Sequence, residues 1–144
     1  MRIVLALAAA LALATTAGAG AAFGLVQEQP VIPPAIVYFD AKSAELTAKG
    51  REQVQRAAEE VRRAGQIMVV IAGHADGAEG SDEQAVDLSY MRATAVREHL
   101  QQLGVPPALI TAQAFGNARP AVETRASEPD NRRVEITFGP GSGW

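Results

Sequence analysis

The chain has 144 residues, 48% of them hydrophobic and 5% aromatic, with 13 Lys and Arg against 16 Asp and Glu and no cysteine. That length supports one domain and excludes a large multidomain enzyme. The missing cysteine excludes disulfides, thiolate metal sites, a Cys nucleophile and a lipid-modified Cys, while the acidic balance argues against nucleic acid as a partner, since phosphate binding needs surplus Lys and Arg.

Residues 1–21 begin with Arg2, continue as an apolar run to Ala14 and finish in small residues. That order is the order of a secretory signal peptide; Ala17-Gly18-Ala19 and Ala19-Gly20-Ala21 both fit the small-x-small requirement, and cleavage is expected near residue 21. The alternative is an uncleaved anchor. No charge stands between Arg2 and Glu28, and about 20 residues suffice to cross a bilayer. The Ala, Gly and Thr of its second half partition weakly into hydrocarbon, which favours cleavage. On either reading the remainder is exported. Pro30, Pro33 and Pro34 make residues 22–34 an extended linker.

Residues 35–39 then read as a short buried strand of β-branched and aromatic residues. A turn leads to a helix expected over 45–64, with Leu46, Val54, Ala57, Ala58 and Val61 on one stripe. Glu45 is expected in its first turn, Arg62 and Arg63 lie in its last, and Gly65 stops it. Residues 67–72 form a continuous apolar run of strand length. A polar loop follows over 73–80, and Ser81 with Gln84 makes a capping box for the next helix. Leu88, Met91, Ala95, Val96, His99, Leu100 and Leu103 keep helical spacing until Gly104, with Pro106 and Pro107 beyond. Residues 111–115 predict a third strand, 116–129 a loop, 134–138 a final alternating strand, and 139–144 a flexible tail. The order β-α-β-α-β-β predicts an α+β, two-layer domain with both helices on one face of a mixed sheet. Low aromatic content limits the depth of its core.

The loop over 73–80 is the best candidate site, because it leaves a buried strand and enters a helix. Asp76 lies in it, and Arg92 follows Leu88 by one helical turn, at the border of the apolar stripe. A carboxylate and a guanidinium at one edge suit a zwitterion, Asp76 taking an ammonium and Arg92 a carboxylate. Spacing alone favours the plainer reading, an internal salt bridge joining the two.

Gly73-His74-Ala75-Asp76, then Gly80, Leu88-Ser89, Arg92-Ala93, Val96 and Leu100, resembles the OmpA-like C-terminal domain family, the OmpA- and MotB-type peptidoglycan-binding module. The likeness runs on through Gly104-Val105-Pro106, Gly116 with Pro120, and Asn131-Arg132-Arg133-Val134-Glu135-Ile136, and back to Val37-Tyr38-Phe39-Asp40, spanning roughly residues 35–138. The resemblance implies a periplasmic, non-enzymatic domain at the cell wall or outer membrane. Such a module holds peptidoglycan non-covalently by the diaminopimelate of the stem peptide and links it to envelope protein partners. By motif position Asp76 resembles the residue that pairs with the diaminopimelate amino group and Arg92 the one that pairs with its carboxylate. Ala75, Leu88, Arg132 and Arg133 take supporting positions. The chain departs from the pattern at Ala75, where the family usually has Thr, and at Ala85, where an Asn often stands; the segment from Asp76 to Gly80 is one residue longer than usual.

Other chemistry is weakly signalled. His74, Asp76, Glu79 and Asp82 lack metal-ligand spacing, no P-loop or G-x-G-x-x-G occurs, and His99 reads as a packing residue beside Val96 and Leu103. No cofactor or metal is expected. The competing functional reading is a scaffold subunit tethered to the inner membrane by an uncleaved leader.

Overall fold

The computed structural model describes residues 31–139. The expected leader, most of the linker and all but the first residue of the tail lie outside the described residues. Within them the chain runs β1 (Ala35–Tyr38), α1 (Ala48–Arg63), β2 (Val69–Gly73), α2 (Asp82–Gln102), β3 (Ile110–Ala114) and β4 (Arg133–Phe138), with single 3-10 turns at Pro107–Leu109 and Pro129–Asn131. The strands form one sheet in the order β1-β4-β2-β3. β2 and β3 are parallel across the α2 crossover, while β4 runs antiparallel between β1 and β2. This is the α+β arrangement that the order of elements predicts.

Alternation along the strands builds the core. Val37 and Phe39, Val69 and Ile71, and Val134 and Ile136 all turn to one side of the sheet, where they meet Val54, Ala57, Ala58 and Val61 of α1 and Ala93, Val96 and Leu100 of α2. Both helices therefore cover the same face. Phe39 is the one Phe, Tyr or Trp buried in this core among the described residues; the rest is Val, Ile, Leu and Ala. The opposite face carries Tyr38, Arg133 and Glu135.

Helix α1 starts later than the sequence suggests. Thr47 caps it, its hydroxyl accepting from the Gly50 N–H at 3.0 Å, so Glu45 lies outside and the first turn has no acid. Asp, Glu, Ser and Thr all mark helix starts, and the hydroxyl with a donor three residues on is the one used. Helix α2 begins as expected: Ser81 and Gln84 form the reciprocal box, at 2.9 and 3.3 Å.

The buried face of α2 differs in phase from the expected stripe. Ala85, Leu88, Ser89, Arg92, Ala93, Val96 and Leu100 point inward, and Met91 is half exposed. The cause is Gly73. A Cβ there would stand 2.1 Å from the Ser89 carbonyl oxygen, so α2 lies directly against the backbone of β2. Small Ser89 and Ala93 face that contact, and Arg92 is carried to the end of β2 with them.

Candidate ligand-binding site

Arg92 is fully buried rather than bordering the core. Its guanidinium uses all five N–H donors. Nε donates to the Ser43 carbonyl at 2.8 Å, and the two terminal nitrogens donate to the carbonyls of His74 and Asp40, each at 3.1 Å. The same nitrogens clasp Glu79 in a two-pronged pair, at 2.8 Å to Oε2 and 2.6 Å to Oε1. The Phe39 ring lies beneath, 5.4 Å from the guanidinium carbon. One side chain thus ties together the turn after β1, the end of β2 and the loop before α2.

Glu79 is equally saturated. Besides Arg92, its Oε1 accepts the Lys42 N–H at 2.7 Å and its Oε2 the Asp76 N–H at 2.8 Å. Lys42 holds a left-handed φ of 54° to present that N–H, a conformation costing a non-glycine residue about 1 kcal/mol or more. Burial pushes the Glu79 carboxyl upward, but the hydrogen bonds from Arg92, Asp76 and Lys42 outweigh it and hold the pKa below its ordinary value. Arg92, Lys42 N–H and Asp76 N–H together make a four-donor cradle shaped for one carboxylate, and Glu79 fills it.

Asp76 is also fully buried. Its Oδ2 accepts the Glu128 N–H at 2.8 Å and faces Arg132 at 3.7 Å, while Oδ1 accepts the Ala78 N–H at 3.4 Å. The internal bridge that spacing allows between Asp76 and Arg92 is not the one formed. Arg92 pairs with Glu79 and Asp76 with Arg132, so the two residues share a loop edge with separate partners.

The supporting positions divide. Arg132 reaches the site, its guanidinium also donating to the Phe39 carbonyl and to the Ser127 hydroxyl, both at 3.2 Å. Arg133 does not. Neighbouring strand residues point to opposite faces, and Arg133 pairs with Glu135 at 2.7 Å on the face away from the helices. His74 lies there too, buried against Phe115 with ring centroids 5.4 Å apart, and among the described residues neither ring nitrogen has a hydrogen-bond partner. Burial first, and Arg133 second, lower its pKa to about 4. Ala75, Ala85 and Leu88 form a small apolar cluster beside the loop. The hydroxyl and amide that the resemblance implies at the two alanines are thus replaced by mutual packing.

Three further residues shape the site: Ser89 and Asn131 stand within the matched motif segments but had no role read for them, and Glu79 lies outside those segments. Glu79 is visible in sequence only as an acid within the lengthened loop. Ser89 bridges α2 to the end of β3, accepting the Gly116 N–H at 2.9 Å while donating to the Val86 carbonyl at 2.8 Å. Asn131 pins the long loop before β4: its side-chain oxygen accepts from Ala121 and Val122 at 2.7 and 2.9 Å, and its amide donates to the Val122 carbonyl at 2.9 Å.

Comparison with known proteins agrees with this fold. The OmpA family model matches residues 38–134. A peptidoglycan-associated lipoprotein of Brucella melitensis is 31% identical over 128 residues, covering 86% of this chain and 76% of its own length. An outer membrane protein of Gluconacetobacter diazotrophicus is 32% identical over 108 residues, 70% of this chain, although the chain spans only 29% of that larger protein. Among solved structures, the peptidoglycan-associated lipoprotein of Burkholderia pseudomallei superposes with a TM-score of 0.65 at 30% identity, covering 72% of this chain and 89% of its own. The family match runs through the loop that holds Asp76 and the helix that holds Arg92: the chain belongs to the OmpA family.

Proposed function

We propose that this domain is a non-enzymatic module that binds peptidoglycan in the periplasm, and that it does so at the loop edge formed by Asp76, Arg92 and Arg132. Family membership supports the partner, and the relatives' names support an envelope location at the cell wall or outer membrane. The observation that carries the site is the cradle around Arg92. Four donors converge on one carboxylate position, and a second buried carboxylate, Asp76, stands on the same loop to receive an ammonium. That pairing of opposite charges suits the zwitterionic end of a diaminopimelate side chain.

In the capture step, the ligand carboxylate takes the position of the Glu79 carboxylate between the two terminal nitrogens of Arg92. The ammonium approaches Asp76 Oδ2 where Arg132 now faces it. Binding of this kind is reversible and salt-sensitive, and no bond is made or broken. Phe39 beneath Arg92 and the Ala75–Leu88 cluster exclude water and strengthen each contact.

Co-sedimentation with purified sacculi tests the reading. The mature chain should pellet with sacculi, and Asp76→Asn, which keeps shape but loses the charge, should leave most of it in the supernatant. Equal pelleting by wild type and variant, with both folded by circular dichroism, refutes the assigned role of Asp76.

A further inference from the structure

The carboxylate cradle is complete, and its occupant belongs to the chain. Glu79 presents both oxygens to Arg92 and takes the two backbone N–H groups of Lys42 and Asp76 as well. Its side chain is 3% exposed and that of Arg92 not at all. Nothing from outside can reach the guanidinium while Glu79 is there, since no N–H of Arg92 lacks an acceptor.

The segment that delivers Glu79 is bracketed by two exposed glycines. Exposed Gly77 and Ala78 precede Glu79, and Gly80 follows it with φ +144°, a conformation that a side-chain-bearing residue rarely adopts. A Cβ at Gly77 would meet nothing within 4 Å among the described residues, so the segment packs loosely against them on that side. Loop anchorage comes from the Glu79 side chain and from two short-range bonds to Asp76, the Glu79 N–H donating to its carbonyl at 3.0 Å and the Ala78 N–H to its Oδ1 at 3.4 Å. Rotation about the two glycines, with the Glu79 carboxylate passing into water, would open the cradle without disturbing β2 or α2.

We infer that Glu79 is a tethered competitor for the Arg92 cradle: it excludes external carboxylates in the resting chain and sets how tightly a carboxylate-bearing ligand binds. The inference deepens the proposed function and rests on its assignment of the ligand carboxylate to Arg92. A ligand meets the open form only in the fraction of time Glu79 is out, and its apparent affinity is reduced by that fraction. Neutralising or shortening residue 79 removes the competitor and leaves the cradle available.

The experiment compares wild type with Glu79→Ala and Glu79→Gln, using acetate as the probe and equal chloride as the control. Acetate has the size of the group that Glu79→Ala removes and carries none of the rest of a wall peptide. The thermal midpoint of both variants should rise with acetate and not with chloride, and the wild-type midpoint should respond equally to the two salts. Should Glu79→Ala fail to fold in chloride, refolding it in acetate provides the same readout. Variants that gain nothing from acetate, or that stay unfolded in it, overturn the inference. The second arm titrates free meso-diaminopimelate into wild type and Glu79→Gln, with at least about tenfold tighter binding expected for the variant. If acetate stabilises the variants but diaminopimelate binds them no better than acetate does, the wall-ligand reading fails while the tethered competitor stands. If diaminopimelate binds wild type and variant alike and acetate does nothing, the competitor fails and the wall-ligand reading stands.

Discussion

Replacing Arg92 by Met is the most severe single change the site should permit a folded chain to carry. Met has nearly the reach of Arg but no donor. It would leave the Glu79 carboxylate buried with two backbone donors and without a counter-charge, and would strip a donor from the carbonyls of Asp40, Ser43 and His74. Breaking a buried pair by removing one partner costs about 3–5 kcal/mol. The three carbonyls would add about 1 kcal/mol each if they stayed dry. The loop edge is close to solvent, so water recovers part of this, and the losses overlap. The expected total is about 4–6 kcal/mol, a large share of the roughly 5–15 kcal/mol that holds a domain together. For a domain near a hundred residues that lowers the thermal midpoint by about 20 °C or more. Urea unfolding followed by circular dichroism measures it, and an unchanged slope against denaturant shows that the native state alone is affected. Pairing Arg92→Met with Glu79→Met closes a double-mutant cycle, whose coupling should reach about 2 kcal/mol or more. A coupling near zero, or an Arg92→Met loss within about 1 kcal/mol of wild type, refutes the view that this pair ties the three segments together.

Three further outcomes follow from neighbouring parts of the fold. His74 has a pKa of about 4 in the folded chain against 6.5 for the free side chain, so the unfolded chain binds the extra proton between those values. Stability from His74 is therefore complete above pH 6.5 and drains away as pH falls toward 4, by up to about 3 kcal/mol; His74→Phe should flatten urea midpoints across that window, and an unchanged slope contradicts it. Glu79 behaves in the same direction at lower pH: its carboxyl lies below 4.5 when folded, so its contribution is present above that value and is lost as pH falls through the folded pKa. Glu79→Gln should lessen the fall in stability on acidification below that point, as read from acid-unfolding curves. Gly73→Ala drives a Cβ to 2.1 Å from the Ser89 carbonyl oxygen, a backbone atom that cannot swing aside, and should cost about 3 kcal/mol or more; a cost within about 0.5 kcal/mol would mean that α2 does not lie against β2 as described.

The fold was largely legible in the chain because its local signals agree with one another. The capping box at Ser81 and Gln84, the alternation over Arg133–Phe138 and the proline-marked turn before β3 each point to the element that forms. The phase of α2 was harder. A count of apolar residues favours Met91, but the close approach at Gly73 turns Ser89, Arg92 and Ala93 inward, and a buried arginine carries no apolar signal. The site was legible in part. Asp76 and Arg92 do lie at one loop edge, yet their partners come from positions that spacing does not relate: Glu79 folds back three residues onto Asp76, and Arg132 arrives from the other end of the chain. Arg133 could have been separated from Arg132 by alternation alone, because adjacent residues at the start of a strand cannot both face the same site.

The central claim is that a wall-derived zwitterion is held by a carboxylate and a guanidinium on this loop edge. Competition against sacculus binding tests it most directly. Free meso-diaminopimelate should release the bound chain from sacculi in a dose-dependent manner, while cadaverine, which keeps the two ammonium groups and lacks both carboxylates, should leave it bound. Release by both compounds alike, or by neither, would contradict the account.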